Sequence, residues 1–149
     1  MIYRIIGKLL HDSAAIRDRV GTRIYFEHRP ASDPLAGEYI VIRFISGAAN
    51  NHLENEADCA EGDVQVDFYG QTVTDAERGY SLIRNRLSGF DAEVTYLGSD
   101  GAEASADVQC NLLRPGMLVS TPADASDQWA YQFSADFQVF YSQTVPTHL

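Results

Sequence analysis

Apolar positions along this chain fall into segments with two different periods. Ile2, Ile5, Ile6, Leu9 and Leu10 recur at helical spacing and give one apolar helix face. Asp12 or Ser13 caps a short second helix over Ala14 to Arg19, which Gly21 stops by accepting a left-handed backbone. A first strand follows over Thr22 to Glu27, built on Ile24, Tyr25 and Phe26. Pro30, Asp33, Pro34 and Gly37 then make a loop. Glu38 to Ser46 is apolar at nearly every position except Arg43, which predicts a strand covered on both faces.

The clearest alternation is Val64-Gln65-Val66-Asp67-Phe68-Tyr69, with Val64, Val66 and Phe68 on one face and Gln65, Asp67 and Tyr69 on the other. A helix over Thr74 to Leu87 comes next. Thr74-Asp-Ala-Glu77 has the form of a capping box, Ala76, Tyr80, Ile83 and Leu87 form the buried stripe, and Gly89 ends the helix. Glu77, Arg78, Arg84 and Arg86 are assigned to its wet face. Ala92 to Leu97 and Asp107 to Leu113 read as strands around a turn at Gly98-Ser-Asp-Gly101. Arg114-Pro-Gly116 breaks the chain, Met117 to Ser120 adds a short strand, and Pro122 to Asp127 is loop. The last strand places Tyr131, Phe133, Ala135, Phe137, Val139 and Tyr141 on one face, and Pro146 opens a short polar tail. Together these predict a single α+β domain over residues 1–149: one mainly antiparallel sheet with two or three helices packed on one face.

Between the second and third strands, Gly47 to Gly62 has no firm period. It reads either as an excursion or as the extended tips of a long hairpin. Charge concentrates there. Residues 50–107 carry three basic and thirteen acidic side chains, a net of −10, whereas residues 1–49 are +2 and residues 108–149 are −2. An acidic centre argues against nucleic acid held through its phosphates. A solvated surface is the plain alternative for such an excess.

Catalytic chemistry is hard to assemble from these residues. His11, His28, His52 and His148 lie in unrelated segments and read as surface or structural histidines. Cys59 and Cys110 stand alone, as reduced thiols, without metal-ligand spacing. Glu54, Glu56 and Asp58 alternate as a calcium loop would, but lack its glycine and distal glutamate, so a solvated acidic loop is expected. Asp67 is expected exposed or paired across strands. Tyr69 and Phe140 interrupt polar faces and would form a contact patch if their strands are neighbours. The expectation is therefore a protein that is not an enzyme, with no cofactor and no metal. The first apolar run, Ile2 to Leu10, is too short and too polar to span a membrane.

In order and spacing, four segments resemble the tail completion, or tail terminator, proteins of long-tailed phages and related tail-like particles. They are Val20-Gly-Thr-Arg-Ile-Tyr25, Tyr39-Ile-Val-Ile42 closing on Ser46-Gly47, Val64 to Tyr69 with its following helix, and Ala135 to Tyr141. Thr95 to Ser126 matches no part of that pattern. The resemblance implies a virion structural protein, assembled in the bacterial host cytoplasm, that forms a ring, commonly a hexamer. Such a ring sits on the head-proximal end of the tail tube, ends tube polymerisation and joins the tail to the head connector. Its implied partners are other copies of itself, the tail tube protein and the head-tail connector or stopper protein, with DNA only passing through the lumen. A neck or minor tail component is a second reading, and a small-molecule-binding α+β domain a third. Candidate interface and lumen residues are Asn50, Asn51, His52, Glu54, Glu56, Asp58, Glu61, Asp67, Tyr69 and Phe140.

Overall fold

The computed structural model describes residues 2–30, 37–51, 56–98, 100–120 and 131–142. The loop positions Asp33 and Pro34, the loop over Pro122 to Asp127 and the tail from Pro146 lie outside the described residues. Two helices, α1 (Ile2–His11) and α2 (Ala14–Val20), precede β1 (Ile24–Phe26), β2 (Tyr39–Asn51) and β3 (Glu56–Gly70). Then come α3 (Val73–Leu87), β4 (Phe90–Leu97), β5 (Glu103–Ser120) and β6 (Tyr131–Ser142). The strands form one six-stranded sheet in the order β1-β2-β3-β6-β5-β4. Only the β1–β2 pair is parallel. The α+β expectation holds.

Alternation decides which face of the sheet receives the helices. Ile40, Ile42, Val64, Val66, Phe68, Ala135, Phe137 and Val139 are all buried and join α1, α2 and α3 in one core. From α1 come Ile2, Ile5, Ile6, Leu9 and Leu10, the five positions that the helical period marks. From α3 come Ala76, Gly79, Ile83 and Leu87. Gly79 lets α3 lie directly on Phe68, because a Cβ there would stand 2.3 Å from the ring.

The sheet curls around α1. Its two terminal strands, β1 and β4, both line a cleft of about 740 Å³ alongside that helix. Tyr3 of α1 packs on Phe26 of β1 with ring centroids 5.4 Å apart, and Arg4 donates to the Leu97 carbonyl of β4 at 3.4 Å. At the end of β1, Glu27 takes a left-handed backbone with φ of 67°. This strained conformation lets its amide donate to Ile42 O while its carboxylate accepts from Tyr3 Oη and from the Phe44 amide.

Of the two alternatives for Gly47 to Gly62, residues 47–51 and 56–62 take the second, as the outer part of a long β2–β3 hairpin. Other expectations are corrected. Helix α3 is capped by Thr72, whose Oγ1 accepts from the Asp75 amide, and not by the Thr74 box. Of its supposed wet face, Arg86 turns inward and donates from Nε to Leu9 O. Arg114-Pro-Gly116 does not break the chain. It is absorbed as a register shift within β5, where Pro115 has no ladder partner between Arg114 and Met117. Strand β2 is covered on both faces only as far as Ile42, since Phe44 and Ile45 are exposed.

Candidate functional site

The face of the sheet away from the core carries the polar positions of the same alternation. On β2 and β3 it presents Tyr39, Val41 and Arg43 beside Gln65, Asp67 and Tyr69. On β6 it presents Gln132, Ser134, Asp136 and Gln138. Asp67 is fully buried there, which corrects the exposed alternative and upholds the cross-strand pairing. Its Oδ2 accepts from Arg43 Nε at 2.9 Å and its Oδ1 from Gln65 Nε2 at 2.8 Å. Arg43 extends the network by donating from Nη2 to Tyr69 Oη at 3.1 Å.

Arg43 and the Tyr69 phenol both answer to that environment. Burial works against the charged form of Arg43, but Tyr69 and Asp67 more than offset it and raise its pKa. Burial raises the Tyr69 phenol and the negative Asp67 adds to it, while Arg43 opposes both. Tyr39 stacks on Tyr69 at 4.5 Å with an interplanar angle of 7°, and Tyr25 meets Tyr39 edge-on at 6.0 Å. The Arg29 guanidinium lies 5.7 Å above the Tyr39 ring. Three strands are thus tied together by one polar and aromatic seam.

Acidic side chains dominate the rest of this face. By strand alternation it holds Glu61, Asp63 and Asp67 on β3, Asp136 on β6, Asp91 and Glu93 on β4, and Glu103 and Asp107 on β5. Among the described residues Arg29, Arg43 and Arg114 are cations on this face, the last paired with Asp136 at 3.7 Å. Glu93 and Asp107 stand directly opposite each other across the β4–β5 pair.

The candidate interface residues separate into distinct places. Tyr69 lies opposite Gln132, whereas Phe140 lies opposite Glu61, so eight positions of β3 part them. At about 3.3 Å per residue that is about 26 Å, and the two aromatics form no common patch although their strands are neighbours. Asn50, Asn51, Glu56 and Asp58 fall within the hairpin strands, where their backbone alone is described. His52 and Glu54 lie outside the described residues.

Sequence reasoning missed the cleft beside α1, because no local pattern shows that two terminal strands approach one helix. Phe26 and Leu97 are exposed at its rim. Its cations are already engaged within the chain: Arg4 with Leu97 O, Lys8 with Asp12 at 3.0 Å, and Arg86 with Leu9 O. Glu93 and Glu103, exposed carboxylates outside any ion pair among the described residues, also line it. Cys110 is buried and its thiol is pushed up to about 12 by that burial, so it is no nucleophile at neutral pH. Among the described residues no group of three or more His, Cys, Asp or Glu is placed to hold a metal ion. No helix among them is long and apolar enough to cross a membrane.

No protein-family model matches this chain, and no curated protein matches it. Among solved structures, a chain in the structure described as the virion of a native gene transfer agent (GTA) particle is similar to it, with a TM-score of 0.63. The match covers 95% of this chain and 94% of that one at 16% sequence identity. At that identity the likeness is one of fold.

Proposed function

We propose that this chain is a structural protein of a phage-like virion that works through contacts and not through chemistry. In this reading it forms a ring, a hexamer, on the head-proximal end of the tail tube. The ring ends tube polymerisation and joins the tail to the head connector. The observation that carries the proposal is the fold likeness over nearly the full length of both chains to a virion chain. The four-segment resemblance to tail terminators points to the same kind of particle and supplies the position within it.

The acidic far face fits a ring through which DNA passes. Carboxylates on a lumen wall repel phosphates, so a genome crosses without being held. The seam of Arg43, Asp67, Tyr69 and Tyr39 keeps the middle of that wall stiff while the hairpin ends extend beyond it.

Electron micrographs of the purified protein test the reading, together with tube-growth assays using the tail tube protein. Rings should be visible, and tubes grown in their presence should stop at the capped end. A protein that stays monomeric at every concentration and leaves tube growth unchanged overturns it.

A further inference from the structure

The segments next to the two terminal strands differ in net charge. Residues 90–113, covering β4 and most of β5, hold five carboxylates and no basic side chain. All five, Asp91, Glu93, Asp100, Glu103 and Asp107, are exposed, and among the described residues none is in an ion pair. Residues 14–29, covering α2 and β1, hold four basic and two acidic side chains, a net of +2, whereas Arg4 of α1 lies against β4. Arg17 on α2 is exposed and donates to His11 O at 3.1 Å, and Arg29, three residues past β1, lies over Tyr39 on the far side.

The acidic edge is stressed as it stands. Glu93 faces Asp107 directly across the ladder, an arrangement that destabilises a strand pair by like-charge repulsion. The outer side of β4 has a row of backbone groups of which, among the described residues, the Leu97 carbonyl receives a side-chain donor, Arg4. A cationic surface set against this edge would relieve the repulsion and cover the backbone. At the other end of the strand order, Arg17 and Arg29 flank β1 in the chain.

We propose that successive copies of this chain join head to tail, with the carboxylates bordering β4 of one copy set against the guanidinium groups bordering β1 of the next. The contact is heterologous, since two different patches meet, and heterologous contacts close into rings when their rotation allows. It rests on the ring reading above and names the surfaces that build the ring.

Charge reversal tests it on the full chain. One variant carries Asp91→Lys and Glu93→Lys, the other Arg17→Glu and Arg29→Glu, with folding of each checked by circular dichroism. Each alone should assemble at least about tenfold more weakly than the parent chain by light scattering, because like charges would then meet. An equimolar mixture should recover rings, since each variant's altered edge complements the other's. Raising the salt concentration should weaken the parent ring. If both variants form rings as the parent does, or folded variants fail to recover on mixing, the contact is wrong and the ring reading stands. If the parent chain itself never forms rings, both fall together.

Discussion

Asp67 and Arg43 meet at 2.9 Å on the far face of the sheet, the aspartate side chain without any exposed surface and the arginine side chain still 40% exposed. The pair is therefore unequal. Removing Arg43 leaves a buried charge supported by Gln65 alone, whereas removing the charge of Asp67 leaves an arginine that water can still reach.

Arg43→Met should for that reason destabilise the fold more than Asp67→Asn. About 2–3 kcal/mol is expected for the first, below the full cost of breaking a buried pair because one partner is partly solvated. About 1 kcal/mol is expected for the second, the scale of one hydrogen bond exchanged for a weaker one. Urea unfolding of the two variants checks the order, which is the decisive result.

Gly79→Ala sets two effects against each other. Alanine gains about 1 kcal/mol of helix propensity over glycine. Its Cβ, however, would stand 2.3 Å from the fully packed Phe68 ring, and overpacking of this kind costs about 1–3 kcal/mol. The variant should melt at a lower temperature than the parent. A rise in melting temperature would show that α3 can lift off the sheet at little cost.

Cys110 should stay silent toward thiol reagents in the native state. With its thiol held up to about 12 by burial, the thiolate needed for attack is scarce at neutral pH. In a Cys59→Ser background, a disulfide-exchange reagent should report no fast thiol until denaturant is added. Rapid labelling of the folded protein would contradict the burial of Cys110, which joins Val108 and Val139 in the core.

Glu38 and Glu27 should give opposite pH signatures. Burial raises Glu38 above its ordinary value of 4.5, with Arg19 opposing. The folded chain then holds that proton longer, so its stabilising contribution is complete below pH 4.5 and is lost as pH rises through the raised value. Glu27 is lowered, first by the Tyr3 hydroxyl and then by the Phe44 amide, so its contribution is present above pH 4.5 and is lost as pH falls. In thermal melts across the acid range, Glu38→Gln should flatten a decline with rising pH. Glu27→Gln should flatten a decline with falling pH.

Period alone made the core legible. Val64, Val66, Phe68, Ala135, Phe137, Val139 and all five apolar residues of α1 are buried as their spacing requires, because burial imposes that spacing. Local signals misled where a tertiary contact chose between similar options. Thr72 and Thr74 are both competent caps. The helix begins after Thr72, against Gly70, where an added Cβ would stand 2.9 Å from the Ala76 amide. Pro115 and Gly116 look like a chain break, yet Tyr80 pins the Gly116 amide at 2.9 Å and the strand continues past them. Asp67 looked polar by alternation and is polar, but only the Arg43 and Gln65 side chains decide that it is sealed. The acidic centre was visible as a count. That its β4–β5 part borders one edge of the sheet required the strand order.

Strand order also governs how the chain is made. Strand β3 lies in the middle of the sheet, but its second partner is β6, and Phe68 faces Phe133 from 65 positions away. A ribosome releases β1, β2, β3 and α3 long before β6 exists. Throughout that interval the nascent chain exposes one complete edge of β3, the strand that brings Val64, Val66 and Phe68 to the core, a surface prone to mispairing. Truncation anywhere before Tyr131 should therefore yield an insoluble product and not a smaller fold, since the last twelve-residue strand closes the middle of the sheet. Quality control is thus built into the topology: a chain cut short during synthesis cannot offer both terminal edges on a finished sheet, and incomplete subunits are kept out of any assembly those edges would build.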